Sequence, residues 1–320
     1  MYKPASIPSS FTLVHPPYQD SPFTRPVHTM AALPCCCCCH PTKQPDDSYA
    51  PSCFARTCFA PMFGAKTLPM PEMPETGTAS GKILVVGTSK SKLACTNGKV
   101  FSTGHNISET LFPMFYLAHA GYTFDIATGD GKPFAFEEWS WAGPKANKNE
   151  SELRGVLEAN DAGFMKPLTT EAALANLKSG AYVAAFFPGG HGTMIEMHDP
   201  EHDKGSISQI LAYLHEKAMP TITLCHGPNV LRAAPAGTYQ GYTVYGFPDS
   251  ADKQNAGPGY TPGLLNEWMG EELAKVGVTL MNKAVNNQVH TDREIISATG
   301  PPGAAMLGVE AVKMLAMQRA

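Results

Sequence analysis

A thiol stands beside an imidazole at Cys225-His226, directly after the run Thr221-Ile222-Thr223-Leu224. A cysteine nucleophile needs a base within reach and donors for the negative charge that develops on oxygen. Candidates for both occur elsewhere in the chain. Phe187-Pro188-Gly189-Gly190-His191-Gly192 carries a glycine pair whose amides can turn toward one small volume. Glu109 opens the stretch Glu109-Thr110-Leu111-Phe112-Pro113, and two acids lie in Asp249-Ser250-Ala251-Asp252. Each residue also has an ordinary reading: a cysteine packs well as a small hydrophobe, and a glutamate in a first helical turn serves the helix dipole or a capping box.

The elements around these residues decide whether they meet. The glycine run and the cysteine both follow short apolar stretches, 183–187 and 222–224, of the kind that forms buried parallel strands, and helix-like segments come after each. A residue at the C-terminal edge of such a strand lies where open α/β sheets bind ligands. A helix start beyond Cys225 would favour its thiolate and steady an oxyanion. Strands are expected at 82–87, 124–128, 181–187, 241–247, 278–281 and 295–298. Helices are expected at 107–120, 168–178, 207–217, 229–234, 264–276 and 304–317. The alternation predicts an α/β fold with a mostly parallel sheet and helices on both faces. Glu109 then sits on the first turn of the helix leaving the first strand, at the edge that carries Cys225. Residues 129–166, with Trp139 and Trp141, read as an insertion of irregular structure over one side of the site.

Composition narrows the function classes. The formal charge of −4 arises after residue 80, and neither a basic patch for nucleic acid nor a basic face for lipid stands out. No apolar run approaches the length of a membrane span, and no G-x-G-x-x-G or Walker lysine follows the first strand, which disfavours nucleotide binding. A small molecule or a protein client remains. Residues 1–80 hold seven of the nine cysteines and half of the 28 prolines without sustained periodicity. They predict a disordered extension, with the catalytic domain over 81–320. The run of cysteines at 35–39, followed by His40, lacks the spacing of a zinc site. Only Cys95 and Cys225 lie in the domain, which points to a reducing, cytoplasmic setting. No charged segment leads into an apolar core, against a secretory signal. Few arginines and early prolines argue against a transit peptide. The polar lead from Met73 into the first strand makes Met70 or Met73 a second candidate for the translation start.

Five dispersed stretches share a resemblance: Asn97-Gly98-Lys99-Val100-Phe101-Ser102-Thr103-Gly104, Glu109 to Pro113, Phe187 to Gly192, Leu224-Cys225-His226-Gly227-Pro228, and Phe247-Pro248-Asp249-Ser250-Ala251-Asp252-Lys253-Gln254. In this order the chain resembles the PfpI superfamily, in the branch of heat-shock holding chaperones that act as glutathione-independent glyoxalases (glyoxalase III). The likeness runs from about 82 to 318. It implies a flavodoxin-like three-layer sandwich and a homodimer. It also implies a triad in which Cys225 is the nucleophile, His226 the base and Asp252 the orienting acid. Glu109 would hydrogen-bond the nucleophile and shuttle protons, and Gly190 and the His226 amide would bind the oxyanion. The implied reaction turns methylglyoxal and related 2-oxoaldehydes into 2-hydroxy acids, D-lactate from methylglyoxal, with no cofactor. Holding of unfolded proteins and removal of glycation adducts are alternatives within the family; peptidase or amidotransferase chemistry is a weaker enzyme alternative, and redox sensing by an exposed thiol is also open. Some bacterial members bind a metal through a histidine late in the first helix and a glutamate five residues on. Those positions here are Ala118 and Thr123, and His119 is displaced by one residue, about 100° around a helix, so no metal is expected there.

Overall fold

The computed structural model describes residues 40–56, 70–74, 80–141 and 149–318. Strands β1 (Thr42–Lys43), β2 (Tyr49–Ala50), β3 (Lys82–Gly87), β4 (Lys92–Ala94) and β5 (Val100–Ser102) come first. They are followed by β6 (Thr123–Thr128), β7 (Leu168–Thr169), β8 (Ala184–Phe187) and β9 (Thr221–Leu224). The last are β10 (Thr243–Val244), β11 (Thr279–Leu280), β12 (Val289–Asp292) and β13 (Ile295–Ala298). The helices are α1 (Ile107–His119), α2 (Glu150–Ala159), α3 (Asp161–Met165), α4 (Thr170–Lys178), α5 (Ser206–Glu216), α6 (Asp249–Asp252), α7 (Met269–Lys275) and α8 (Ala304–Met317).

The central sheet has the order β12-β13-β9-β8-β3-β6-β7. Only the β12–β13 pair is antiparallel. Its inner strands are apolar on both faces because helices cover both. Leu84 and Val86 of β3, with Ala185 and Phe187 of β8, join the core formed with Leu174 and Leu177 of α4 and Ile207, Ile210, Leu211 and Leu214 of α5. Each fully buried Leu, Ile, Val or Phe side chain among them contributes about 1.5–3 kcal/mol. Helix α1 packs on α8 and α2 in another layer. The fold is thus a flavodoxin-like three-layer sandwich. Strand order reverses at β3, with β6 on one side and β8 on the other, so a crevice forms at the C-terminal ends of β3 and β8.

Residues 40–56 correct the expectation of a disordered extension through residue 80. β1 and β2 pair antiparallel, and β2 adds in parallel to β5 through Tyr49 and Phe101, giving a four-stranded sheet β1-β2-β5-β4. The Ser52 amide donates to the Gly259 carbonyl at 2.8 Å and its hydroxyl to the Pro258 carbonyl at 2.8 Å. Composition averaged over 80 residues hides so short a segment, whose order comes from pairing with a distant strand. The Tyr116 hydroxyl donates to the Pro71 carbonyl at 2.8 Å, tying residues 70–74 to α1. The cysteine run at 35–39 lies outside the described residues.

The insertion is less irregular than expected. It holds the 3-10 turn Glu138–Trp141 and helices α2 and α3, anchored by the mutually packed rings of Phe134, Phe136 and Phe164. The helix expected at 264–276 is confined to α7, and the strand expected at 241–247 to β10, which pairs in parallel with β11.

Candidate active site

Cys225 follows β9 directly, with φ of 58°. Its N–H donates to the Ala298 carbonyl of β13 at 3.0 Å, and its carbonyl accepts from the Phe247 amide at 2.8 Å. These two bonds hold a non-glycine residue in the left-handed region, at a cost of about 1–2 kcal/mol. The turn swings the thiol toward His226, whose Nδ1 is 3.3 Å from Sγ. On its far side the imidazole reaches Asp252 of α6, with Nε2 2.7 Å from Oδ2. The other Asp252 oxygen takes His191 Nε2 at 3.0 Å and Asn255 Nδ2 at 2.9 Å. Burial alone would raise the Asp252 carboxyl, but the two imidazoles and their hydrogen bonds hold it well below the usual carboxylate range. An ionised Asp252 fixes the proton of each histidine on Nε2, leaving His226 Nδ1 as an acceptor facing the thiol. Asp249, the other acid of the run, caps α7 instead: its oxygens accept from the Gly270 and Glu271 amides at 2.7 and 3.0 Å.

Glu109 arrives from the opposite direction. Asn106 caps α1, its side-chain oxygen accepting from the Ser108 and Glu109 amides at 3.1 and 3.3 Å. The Glu109 side chain is 1% exposed, and neither carboxyl oxygen has a hydrogen-bond partner of good geometry among the described residues. Its carboxyl shares a small volume with the thiol. A β-carbon at Gly189 would overlap Glu109 Oε2 and come within 2.5 Å of Cys225 Cβ, so a glycine is what lets acid and sulfur face each other. Gly190, at φ of 106°, is held against the Gly104 carbonyl with no room for a side chain. Its amide faces Cys225 and favours the thiolate.

The protonation of this pair departs from the expectation of a ready-made thiolate. Burial first, then the neighbouring Glu109, push the Cys225 thiol well above its ordinary value, and the Gly190 amide only partly opposes them. Glu109 is pushed up to about 8, chiefly by burial; contact with the thiol opposes this and the negative Glu137 adds to it. The segment after Cys225 is a short 3-10 turn, Gly227–Ala233, not an α-helix, so the helix-end charge expected there is weak. Burial and Glu109 thus work against a thiolate standing ready in the folded chain.

Several residues without an assigned role in the sequence surround the pair. His105 is fully buried, and burial pushes it down to about 4. Its Nε2 accepts from the Thr88 amide at 2.9 Å, so Nδ1 carries the proton and donates to the Gly189 carbonyl at 3.0 Å. Phe101 and Tyr260 pack on the ring of His191, and Trp139 packs on both. Glu137, from the insertion, accepts from Thr103 Oγ1 at 2.8 Å. His191 sits in a motif, but no spacing assigns it to Asp252; Glu137 lies in a stretch with no periodicity at all.

His191, His226 and Asp252 lie close enough together for a metal, but their facing atoms are already hydrogen-bonded to one another. His119 is exposed at the end of α1, with Nδ1 2.9 Å from the Phe115 carbonyl.

Comparison with known proteins bears on the family. No family model matches the chain. A protein/nucleic acid deglycase HchA from Escherichia coli is 35% identical over 249 residues, spanning 77% of this chain and 85% of the relative. The chain belongs to the PfpI superfamily. Among solved PfpI-type folds, glyoxalase III from Candida albicans superposes with a TM-score of 0.58 at 20% identity, over 73% of this chain and 98% of that one. The 24 kDa rapid encystment protein of Francisella tularensis gives 0.57 at 22% identity, over 74% and 99%. Likeness at that identity establishes the sandwich, while the HchA match establishes the family.

Proposed function

We propose that the protein is a glutathione-independent glyoxalase that converts methylglyoxal and related 2-oxoaldehydes to 2-hydroxy acids, D-lactate from methylglyoxal. The observation that carries this reading is the placement of two proton-handling groups on one sulfur: His226, held by Asp252, and the protonated, otherwise unpartnered Glu109. A hydrolase needs one base and an oxyanion site. An internal redox step, which moves hydrogen from C1 to C2, needs a group that removes one proton and delivers another.

Cys225 Sγ adds to the aldehyde carbon while its proton passes to His226 Nδ1, and the alkoxide is held by the Gly190 and His226 amides. The alkoxide is protonated to the hemithioacetal. Removal of the C1 proton gives an enediol, with Glu109 and His226 handling the protons, and protonation at C2 yields the thioester of the 2-hydroxy acid. Water cleaves the thioester, releasing the acid and regenerating the thiol. Atoms and electrons balance, because C1 is oxidised as C2 is reduced.

The deglycase named among the relatives suggests a second reading, since an amine adds to the same aldehyde as a hemiaminal, whose carbon a thiol can take over as a hemithioacetal with release of the amine. Burial favours the free aldehyde: Cys225 is 5% exposed, and an adduct on a folded protein would have to reach that depth. D-lactate formation from methylglyoxal without glutathione, compared between wild type and Cys225→Ala, tests the assignment. Turnover abolished by the substitution is expected. Full activity in the variant, or none in a folded wild type, defeats it. Suppression of client aggregation that persists in Cys225→Ala would mark holding as a separate property of the surface.

A further inference from the structure

Glu137 is 1% exposed and lies just before the 3-10 turn Glu138–Trp141. Its Oε1 accepts from Thr103 Oγ1 at 2.8 Å, its Oε2 from Asn106 Nδ2 at 3.3 Å, and its own amide donates to the His105 carbonyl at 2.9 Å. Two of these partners lead to the reacting sulfur. Asn106 caps α1 and sets the direction from which Glu109 projects; His105 holds the Gly189 carbonyl. The backbone amide of His191, next to Gly190, faces the Glu137 carboxyl as well.

The chemistry of the Asn106 contact is directional. A side-chain amide can turn over and exchange its oxygen for its nitrogen, but an ionised carboxylate only accepts. Burial raises the Glu137 carboxyl, and His191 with the Thr103 and Asn106 donors opposes this; in its ionised form Glu137 selects the orientation in which Nδ2 faces it and Oδ1 faces the first N–H groups of α1. We propose that Glu137 is a positioning residue for this active centre, locking both the Asn106 cap beneath Glu109 and the loop whose Gly190 amide faces Cys225. The donors to the Glu137 carboxyl are Thr103, Asn106 and the His191 amide, not the sulfur. The titratable groups that face it are His191, Glu109 and Tyr260. Its negative charge also helps Glu109 keep its proton, so losing the charge should move the titration of Glu109 toward lower pH.

The test uses the full chain carrying Glu137→Gln, Glu137→Ala and Glu137→Asp. Its kinetic arm rests on the glyoxalase reading. Misplacement of the pair is expected to lower kcat by on the order of tenfold to a hundredfold with KM nearly unchanged, because the substrate itself is not contacted. The second arm needs no substrate assignment: the rate of Cys225 alkylation by iodoacetamide is followed against pH. The inflection that the ionisation of Glu109 puts into this profile should move to lower pH in the Gln and Ala variants and return toward wild type in Glu137→Asp, which restores the charge. A wild type without glyoxalase activity would sink the functional reading, while the alkylation profile would still decide the role of Glu137. Wild-type kcat and a wild-type alkylation profile in Glu137→Gln would overturn the proposal, even with a lowered Tm. Should Glu137→Gln fail to fold, Thr103→Ala removes the Oε1 bond alone. A fall in kcat at constant KM then supports the assignment, and unchanged kcat overturns it.

Discussion

Substituting Glu109 by Gln tests the electrostatics of the site through stability alone. The carboxyl is raised from 4.5 to about 8, first by burial and then by the charge of Glu137, against the opposing thiol contact. Between those values the folded chain keeps a proton that the unfolded chain releases. Stability is therefore fully present below pH 4.5 and is lost as pH rises through about 8. At about 1.4 kcal/mol per pH unit, the loss by pH 8.5 reaches about 4–5 kcal/mol, a ceiling because protein and water relax around a buried charge. Glutamine does not titrate, so the variant's curve should be flatter. Its advantage over wild type should be under about 1 kcal/mol at pH 5 and should approach that ceiling at pH 8.5. Urea midpoints at three pH values between 5 and 8.5, with an unchanged slope m, measure the difference. Higher pH is avoided because the raised Cys225 thiol adds a loss of the same sign. Curves that run parallel for the two proteins, or a variant that loses ground as pH rises, would refute the reasoning.

Gly190→Ala places a side chain against the Gly104 carbonyl at φ of 106°; a loss of about 2 kcal/mol or more and a collapse of kcat are expected, read by unfolding and by lactate formation. Ser52→Ala removes the hydroxyl bond to the Pro258 carbonyl and the one from the Ala55 amide. It should cost about 1–2 kcal/mol and speed amide exchange over 255–261, measured by mass spectrometry; unchanged protection there would show that residues 40–56 do not brace that loop.

The long apolar elements were legible because burial imposes a pattern on them. β3 at 82–87, β13 at 295–298 and α8 at 304–317 fall where their periodicity puts them. Short partners carried no such signal: β1, β2, β4 and β5 have two or three residues each and owe their order to pairing with one another within the chain. At the site, the thiol and imidazole are neighbours along the chain, and the sheet edge that gathers Glu109 follows from alternation of strand and helix. The choice between Asp249 and Asp252 does not. It turns on whether a carboxylate reaches the amides of α7 or an imidazole, which spacing cannot distinguish. Glu137 was illegible for a similar reason, since its partners are gathered by tertiary packing. The state of the thiol was misjudged because burial outweighs the influence of a short 3-10 turn.

The left-handed backbone at Cys225 gives this chain an awkward relation to heat. Glycine would relieve the conformational tension at that position by about 1–2 kcal/mol, at the expense of the sulfur itself. A library sorted only for thermal endurance would thus enrich inert molecules, and any effort to harden the protein needs a turnover screen running beside it.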